Sequence, residues 1–219
     1  MFLNLTYTII FITYFVLSAY VHVAISFVIF ILAYPFDKNR KLQHLYSIFI
    51  SKHYIWLSPG VRITRKGANN VDKKQPYVIV SNHQSMLDIV ILYYVPTYFK
   101  WISKREVYKI PAVGQLLLLH GDVCIRRGDP KSAKKMMNDS SEWLKKGVSM
   151  MIFPEGTRSK TGRINKFKEG SFILAKMNNV PILPVVIEGT TSFTKGNKGG
   201  LDARHRFKMT ILPPISADE

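Results

Sequence analysis

The chain has 219 residues, enough for one catalytic domain with a hydrophobic core once a membrane segment is set aside. Its 31 Lys and Arg residues against 14 Asp and Glu residues give a formal net charge of +17, all of it beyond residue 36. This basic domain indicates an anionic partner, either nucleic acid, a lipid surface, or a phosphorylated substrate or carrier; the alternative is a solvated basic surface with no specific ligand. The single cysteine, Cys124, excludes an intrachain disulfide and a cysteine cluster for a metal, and its apolar neighbours predict a small buried side chain.

Residues 1–36 predict a membrane-associated helix. They are rich in Ile, Phe, Val, Leu and Tyr, contain no glycine and reach their first proline at Pro35. About 20 apolar residues already cross the hydrocarbon of a bilayer. A signal peptide is the alternative, but a basic start and a small-residue cleavage site are missing. The net-positive run at 37–41 places the rest of the chain on the cytoplasmic side.

Residues 42–57 predict a second helix. It mixes His44, Lys52 and His53 with many apolar residues, so it is too polar to span a membrane but suits an interface. It either forms a hairpin with the helix at 1–36, and this hairpin inserts into one leaflet, or it only packs on the domain. We therefore predict a membrane-anchoring helical region at 1–58 and a catalytic domain at 59–219.

Beyond this region the pattern is that of an α/β domain. The β-rich runs lie at 61–64, 77–81, 99–102, 123–125, 149–153, 182–187 and 207–212. Helical stretches separate several of these runs, and the clearest, at 130–146, has Asp129 as its cap and Gly147 at its end. The predicted fold class is α/β, with a largely parallel central sheet flanked by helices and preceded by the N-terminal membrane-associated helical region.

A histidine and an aspartate follow the second run. Residues five apart in one helix point about 140° away from each other. His83 and Asp88 therefore meet only if His83 lies in the turn after the strand and Asp88 lies in the first turn of the next helix. Asp88 would then fix the tautomer and leave one ring nitrogen free as a base. The alternatives are a capping box formed by Ser85 and Asp88, or a serine hydrolase, although the sequence lacks a Gly-x-Ser-x-Gly elbow.

A second polar segment, 153–159, follows the fifth run. Gly156 lets the backbone approach a ligand closely, and the planar guanidinium of Arg158 suits a phosphate. An ordinary exposed turn is the alternative. A third basic group flanks the helix-sized span 111–120, and it is either a shared anion site or surface charge. Its members are Lys104, Arg105, Arg126 and Arg127.

Four ordered blocks between residues 77 and 184 resemble the 1-acylglycerol-3-phosphate O-acyltransferases, or lysophosphatidic acid acyltransferases, of the glycerolipid acyltransferase superfamily. The first block is Asn82-His83-x-x-x-x-Asp88, similar to the catalytic His-x-x-x-x-Asp of the family. The others are Lys104-x-Glu106 through Pro111, Gly114, Gly121, Ile125 and Arg127, then Phe153-Pro154-Glu155-Gly156-Thr157-Arg158-Ser159, and Val180-Pro181-Ile182-Leu183-Pro184. The sequence departs from the family at Val107, where leucine is frequent.

The resemblance implies that His83 and Asp88 are the catalytic dyad. It also implies that the acceptor is bound by a set of five residues: Arg127, Glu155, Gly156, Thr157 and Arg158. The expected reaction moves an acyl chain from acyl-CoA or acyl-ACP, as co-substrate, to the free sn-2 hydroxyl of 1-acylglycerol-3-phosphate (lysophosphatidic acid), giving phosphatidic acid. We expect no cofactor and no metal.

Other activities remain open. The same chemistry suits another lysolipid or glycerol-3-phosphate, and a non-catalytic basic protein that binds anionic lipid is the alternative from another class. Nucleic acid is not an expected partner, because most aromatic residues lie in the leader and in core-like runs. We expect a membrane-attached protein whose catalytic domain lies on the cytoplasmic side.

Overall fold

In the part of the chain that the structure describes, seven strands form one sheet in the order β1-β7-β6-β2-β5-β3-β4. The structure is a computed structural model that describes residues 2–58, 61–159, 161–190 and 206–218. The strands are β1 (Arg62–Lys66), β2 (Val78–Ser81), β3 (Phe99–Lys104), β4 (Val123–Ile125), β5 (Ser149–Ile152), β6 (Ile182–Glu188) and β7 (Arg206–Ile211). The helices are α1 (Phe2–Ala33), α2 (Lys41–Trp56), α3 (Leu87–Leu92), α4 (Val113–His120), α5 (Pro130–Lys145) and α6 (Gly170–Asn178).

The predicted fold class is confirmed, because the strand pairs are parallel except for β6 with β7. Each predicted β-rich run contains a strand, with ends shifted by two residues or fewer. Strand β2 is buried along its whole length. Its residue Ile79 lies opposite Met151 of β5 on one side and Leu183 of β6 on the other. The centre of the sheet is thus covered on both faces, as parallel sheets require.

Each face of the sheet has its own apolar core. Ile91 and Leu92 of α3 pack on one face with Phe99 and Trp101. On the other face, α5 and α6 pack against the sheet, and Leu174 of α6 is fully buried there. Strands β2 and β5 therefore emerge between two helical layers, and the turns that follow them are held from both sides.

Helices α1 and α2 form an antiparallel hairpin joined by a polar seam. The seam consists of the pairs Ser18–Tyr54 at 3.0 Å, His22–Tyr46 at 2.7 Å and Ser26–Gln43 at 2.5 Å. The stretch Ile9–Ala33 is long and apolar enough to cross a membrane, and only 11% of its most apolar window is buried. The hairpin thus keeps its polar groups inside and presents apolar side chains outward.

The second helix packs on the domain as well as on α1, so it does not only pack on the domain, and insertion of the hairpin into one leaflet stays a prediction. Ser51 donates a hydrogen bond to the carbonyl of Val90 in α3 at 2.6 Å. His44 is buried against Phe99, and its Nδ1 lies 3.3 Å from Nε2 of His120. The predicted boundary after residue 58 stays a prediction, because residues 59 and 60 lie outside the described part of the chain.

The prediction of a buried Cys124 is wrong, since its side chain is exposed. Strand β4 is the last in the sheet and has only three residues. Alternate side chains of a strand point to opposite faces, so Val123 enters the core and Cys124 points away from it. The apolar run around Cys124 gave no sign of this alternation.

Candidate active site

The predicted polar segments meet at the carboxyl edge of the sheet, which we call the catalytic edge. The segment with His83 follows β2, and the segment beginning at Phe153 follows the adjacent parallel strand β5. Arg126 and Arg127 follow β4, which runs in the same direction. Open α/β sheets collect their ligand sites at this edge. The topology therefore brings together residues that lie far apart in sequence.

His83 and Asp88 form the predicted pair. Nδ1 of His83 lies 2.9 Å from Oδ2 of Asp88, whose side chain is fully buried. A carboxylate can only accept, so Nδ1 carries the ring proton and Nε2 is left with its lone pair. The His83 side chain is 13% exposed, and in the described residues Nε2 has no hydrogen-bond partner. The geometry is that of an oriented general base.

Asp88 also holds the turn that carries His83. Its Oδ2 accepts hydrogen bonds from the backbone N–H groups of Gln84 at 2.6 Å and Ser85 at 2.8 Å. The hydroxyl of Ser85 accepts from the N–H of Leu87 at 3.3 Å. One half of the predicted capping box, the bond from the Ser85 N–H to the Asp88 carboxylate, is therefore present together with the His83 contact, whereas the Ser85 hydroxyl bonds Leu87 and not the N–H of Asp88. Ser85 lies outside the helix, which begins at Leu87 with Met86 as its N-cap.

Aromatic stacking fixes the plane of the imidazole. The ring of Phe153 lies parallel to that of His83, with 3.8 Å between centroids and 11° between planes. Phe153 stacks in turn on Trp101, whose indole N–H donates to the hydroxyl of Tyr93 at 3.0 Å. Phe153, the first residue of the 153–159 segment, thus packs between the rings of His83 and Trp101. Sequence reasoning assigned Phe153 no such contact.

Glu155 has a structural position different from the predicted acceptor contact. It is 4% exposed, and its Oε1 accepts from the backbone N–H of His83 at 2.8 Å. Its Oε2 accepts from the N–H of Asn165 at 2.8 Å. Both carboxylate oxygens are thus engaged by the backbone, so the geometry favours Glu155 as a positioning residue that joins the His83 turn to the next loop.

Asn82 ties the other side of the turn to the sheet. Its Nδ2 donates to the carbonyl of Ile187 at 2.9 Å, and its Oδ1 accepts from the N–H of the same residue at 2.8 Å. The side chain thus reproduces the donor and acceptor pair of a backbone peptide and extends the pairing of β2 with β6. The sequence alone does not indicate this role of Asn82, because Ile187 lies 105 residues away.

A basic pocket lies beside these turns. It has a volume of about 360 Å³ and is lined by Arg126, Arg127 and Lys168, among others. Gly156 has φ of +71°, and a Cβ built on it would lie 3.1 Å from Cε of Lys168. Lys168 thus links the pocket of Arg127 to the Gly156 turn. Sequence reasoning missed Lys168, whose signal was the run Lys166-Phe167-Lys168 just ahead of a helix.

Thr157, Arg158 and Lys104 do not line this pocket. Thr157 and Arg158 are exposed in the turn after Gly156. The next residue, Ser159, donates its N–H to the carbonyl of His83 at 2.8 Å, so this turn lies directly on the catalytic one. Lys104 pairs with Glu106 at 3.5 Å on the surface and is not among the residues that line the basic pocket.

A family model described as Acyltransferase matches residues 62–188, more than half of the chain. The chain belongs to the acyltransferase family. The matched region begins at β1, ends with β6 and includes both turns that hold His83. The family resemblance read from the four blocks is thereby confirmed.

Curated relatives carry a more specific name. The chain is 36% identical over 196 residues to the chloroplastic 1-acyl-sn-glycerol-3-phosphate acyltransferase LPAT1 of Arabidopsis thaliana, covering 86% of this chain and 54% of that protein. It is 32% identical to the 1-acyl-sn-glycerol-3-phosphate acyltransferase of Limnanthes douglasii, covering 87% and 67%. The chain thus spans between about half and two thirds of the length of these acyltransferases.

A solved structure has the same fold along almost the whole chain. The crystal structure of PlsC, the 1-acyl-sn-glycerophosphate acyltransferase from Thermotoga maritima, superposes with a TM-score of 0.82 at 26% sequence identity. The match covers 98% of this chain and 86% of that one. The N-terminal helices therefore belong to the shared architecture together with the acyltransferase sheet.

Proposed function

We propose that the protein transfers an acyl chain from an acyl thioester to the free sn-2 hydroxyl of 1-acylglycerol-3-phosphate, giving phosphatidic acid. The observation that carries the proposal is the His83–Asp88 pair, 2.9 Å apart, beside a pocket lined by Arg126, Arg127 and Lys168. A base and an anion-binding pocket are what an acceptor with a hydroxyl and a phosphate requires. The names of the curated relatives support the same substrate.

The reaction follows from the orientation of His83. Nε2 removes the proton from the acceptor hydroxyl while that oxygen attacks the thioester carbonyl, and Asp88 stabilises the imidazolium through Nδ1. The tetrahedral intermediate collapses with cleavage of the C–S bond, and the imidazolium returns the proton to the departing thiolate. Because a thioester is already activated, the proposal needs no cofactor or metal. Acyl-CoA and acyl-ACP both fit this step as donor.

Arg127, Lys168 and Arg158 are the proposed cations for the acceptor phosphate. Arg127 and Lys168 line one pocket, and Arg158 lies in the turn that packs on His83. Because Gly156 has no side chain, the side chain of Lys168 can pack against its backbone. The phosphate of glycerol-3-phosphate or of another lysolipid would make the same contacts, so the hydrophobic part of the acceptor decides among these substrates.

Attachment to a membrane is supported by the hairpin. A signal peptide would be removed, whereas α1 is joined to α2 by the polar seam and belongs to the folded protein. We propose that the hairpin inserts into the cytoplasmic leaflet and leaves the catalytic domain on the cytoplasmic side. The net-positive run 37–41 in the connection between the two helices supports this side.

The test is acyl transfer by purified protein in detergent, with acyl-CoA and acyl-ACP offered in separate reactions. Lysophosphatidic acid, a lysolipid without a phosphomonoester, and glycerol-3-phosphate serve as acceptors. We expect phosphatidic acid from the first, acylated at the sn-2 position, and its loss in the His83→Ala variant. Equal binding of anionic vesicles by the wild type and the variant, with no product from either, would instead identify a lipid-binding protein.

A further inference from the structure

The α1–α2 hairpin by itself is compatible with two orientations on a bilayer. Apolar residues are exposed along α1, and the outer side of α2 exposes Leu45 and Phe49. This apolar surface would contact lipid either with the sheet lying alongside the membrane or with the catalytic edge turned toward it. The two orientations differ in the surroundings of the opposite face of the sheet, where α6 lies. Only the second orientation brings the catalytic edge of that face close to lipid.

A second apolar surface lies on that opposite face, at the catalytic edge. Its members are exposed although each is large and apolar: Ile164 by 59%, Phe167 by 40%, Phe172 by 38% and Ile173 by 47%. We call these four residues the rim patch. The rings of Phe167 and Phe172 stack with 6.4 Å between their centroids, which fixes the positions of these two side chains relative to each other.

The rim patch is fixed directly to the catalytic turn. The loop that carries Ile164 and Phe167 is anchored by the hydrogen bond from Asn165 N–H to Glu155, whose other oxygen accepts from His83. The amide of Gln84 donates to the carbonyl of Gly162 at 3.1 Å. The patch therefore borders the mouth of the site, across the sheet from α2 and α3.

The hairpin reaches the same edge from the other face. His44, near the start of α2, lies against Phe99 at the amino end of β3, and Ser51 contacts α3 further along. Helix α2 thus runs toward the catalytic edge and ends there with Trp56, which is 80% exposed. Because α1 is antiparallel to α2, the turns of α1 before Tyr14 continue past that end.

Charge around the rim patch matches an anionic lipid surface. The segment 161–169 contains Arg163, Lys166 and Lys168 but only one acidic residue, Glu169. The three basic side chains are exposed between the apolar ones. Basic residues with apolar and aromatic neighbours are the composition of a surface that enters the headgroup region of a bilayer.

We propose that the rim patch is a second membrane contact, which enters the interfacial region of an anionic bilayer and turns the catalytic edge toward the lipid. The hairpin and the rim patch then contact the bilayer on either side of the mouth of the site. A lysolipid would then move from the bilayer into the mouth of the site and reach His83 without leaving the membrane surface. The contact rests on the proposed membrane attachment and goes beyond it, because the hairpin alone does not require it.

Depth measurements test the contact without any turnover. The full-length protein with Cys124→Ser receives one cysteine, by Ile164→Cys or, as control, by Ile215→Cys, and an NBD dye is attached to it. Ile215 is 41% exposed but pairs with Ile182 at the amino end of β6, the opposite edge of the sheet. The protein is reconstituted in vesicles of equal parts phosphatidylcholine and phosphatidylglycerol.

We expect dye at position 164 to shift to the blue and to be quenched by spin-labelled lipid, whereas dye at position 215 should be quenched by aqueous iodide. Equal quenching by iodide at both positions would overturn the proposal. This result does not depend on the reaction, so it stands apart from a failure of the proposed acyl transfer, which would appear as absence of product from the unmodified protein.

Activity gives a second measurement. The variant Ile164→Gln with Phe167→Gln should lose several-fold in acylation of a long-chain lysolipid in vesicles but retain the wild-type rate with a short-chain, monomeric acceptor. Leu212→Gln with Ile215→Gln, near the amino edge, is the matched control and should lose neither activity. Equal loss with both acceptors would contradict the proposal. A change limited to the apparent constant for a protein acyl carrier would assign the patch to donor docking and also overturn it.

Discussion

The buried carboxylate of Glu155 accepts a hydrogen bond from the backbone N–H of His83 at 2.8 Å, so two turns from neighbouring strands are joined at His83. The second oxygen of Glu155 accepts from Asn165, which extends the connection to the loop ahead of α6. The position of the imidazole therefore depends on a group that is not in contact with its ring.

We expect Glu155→Gln to lower kcat by about tenfold while the apparent KM for the acceptor changes little. An amide can still accept one hydrogen bond, but its NH₂ group opposes a backbone N–H at the other position. The distinguishing measurement is steady-state kinetics against acceptor concentration. A rise in KM at unchanged kcat would show that Glu155 binds the acceptor, as the family resemblance implied.

His83→Ala should reduce turnover by about 10²–10⁴-fold with the fold retained, because the general base is removed. Asp88→Asn should be nearly as damaging, since an amide cannot stabilise the imidazolium by charge and Oδ2 also holds two backbone N–H groups. Product formation and circular dichroism are measured on the same samples. Substantial activity in folded His83→Ala protein would refute the proposed mechanism.

Arg158→Lys should impair the use of lysophosphatidic acid although the charge is kept, because an ammonium does not reproduce the planar guanidinium. Arg127→Ala and Lys168→Met should act in the same direction. The loss in kcat/KM should be roughly tenfold to a hundredfold for each and should appear against acceptor concentration. Lys176→Met, an exposed lysine of α6 that does not line the pocket, is the control. Effects limited to the donor constant would place these cations at the acyl carrier.

Charged substitutions on the lipid side of α1 should release the protein from membranes. Leu17 and Val21 are 64% and 57% exposed, and a charged side chain is costly in hydrocarbon. Leu17→Asp with Val21→Asp should therefore shift the protein from the membrane fraction to the supernatant after a high-salt wash. Because the polar seam is untouched, these changes test attachment more cleanly than deletion of residues 1–36. Retention equal to that of the wild type would show that the hairpin is not the main anchor.

Acid should destabilise the junction between α2 and the domain. Burial, with smaller electrostatic effects of the nearby His120 and Lys100, lowers the pKa of His44 from its ordinary 6.5 to about 2. As pH falls below 6.5, the unfolded chain binds a proton at His44 that the folded protein does not bind, so the free energy of unfolding decreases. The slope for one such group is at most about 1.4 kcal/mol per pH unit.

Thermal unfolding in detergent between pH 7 and pH 5 measures this effect. His44→Gln should flatten the dependence on pH, although the variant starts from lower stability. His53→Gln lies on the same helix, where it contacts Tyr14 and His22 of α1, and is the control for loss of an imidazole. An unchanged slope in His44→Gln would place the acid sensitivity elsewhere.

Much of the fold was predictable because its signals are local. The first three residues of β2, Val78 to Val80, are an apolar run, and the cap of α5 is formed by Asp129 accepting from Lys131 and Ser132, as its position before a proline indicated. The pairing of His83 with Asp88 was also predictable, since only a turn between strand and helix allows it. These features can be predicted from residues that lie close together in the sequence.

The features that escaped prediction depend on distant partners. Lys168 reaches the Gly156 turn across a loop, Asn82 contacts a strand 105 residues further on, and His44 meets His120 after 76. A charged or amide side chain in a turn has the same local appearance whether it faces water or another turn. Exposure of Cys124 was missed for a related reason, because the order of strands decides which one lies at the edge of the sheet.

The polar seam has a consequence for biosynthesis. Ser18, His22 and Ser26 lie four residues apart on one side of α1, and their partners belong to α2, which leaves the ribosome later. Until then α1 would carry three polar side chains into hydrocarbon without their partners in α2, and in the described part of the chain only Ser18 of the three has a side-chain hydrogen bond within α1, to the carbonyl of Phe15. We therefore expect α1 to enter the bilayer stably only once α2 has been made, so that the two helices insert as one unit. Released chains that end before residue 41 should be extracted from membranes by alkali more readily than released chains that end after residue 58.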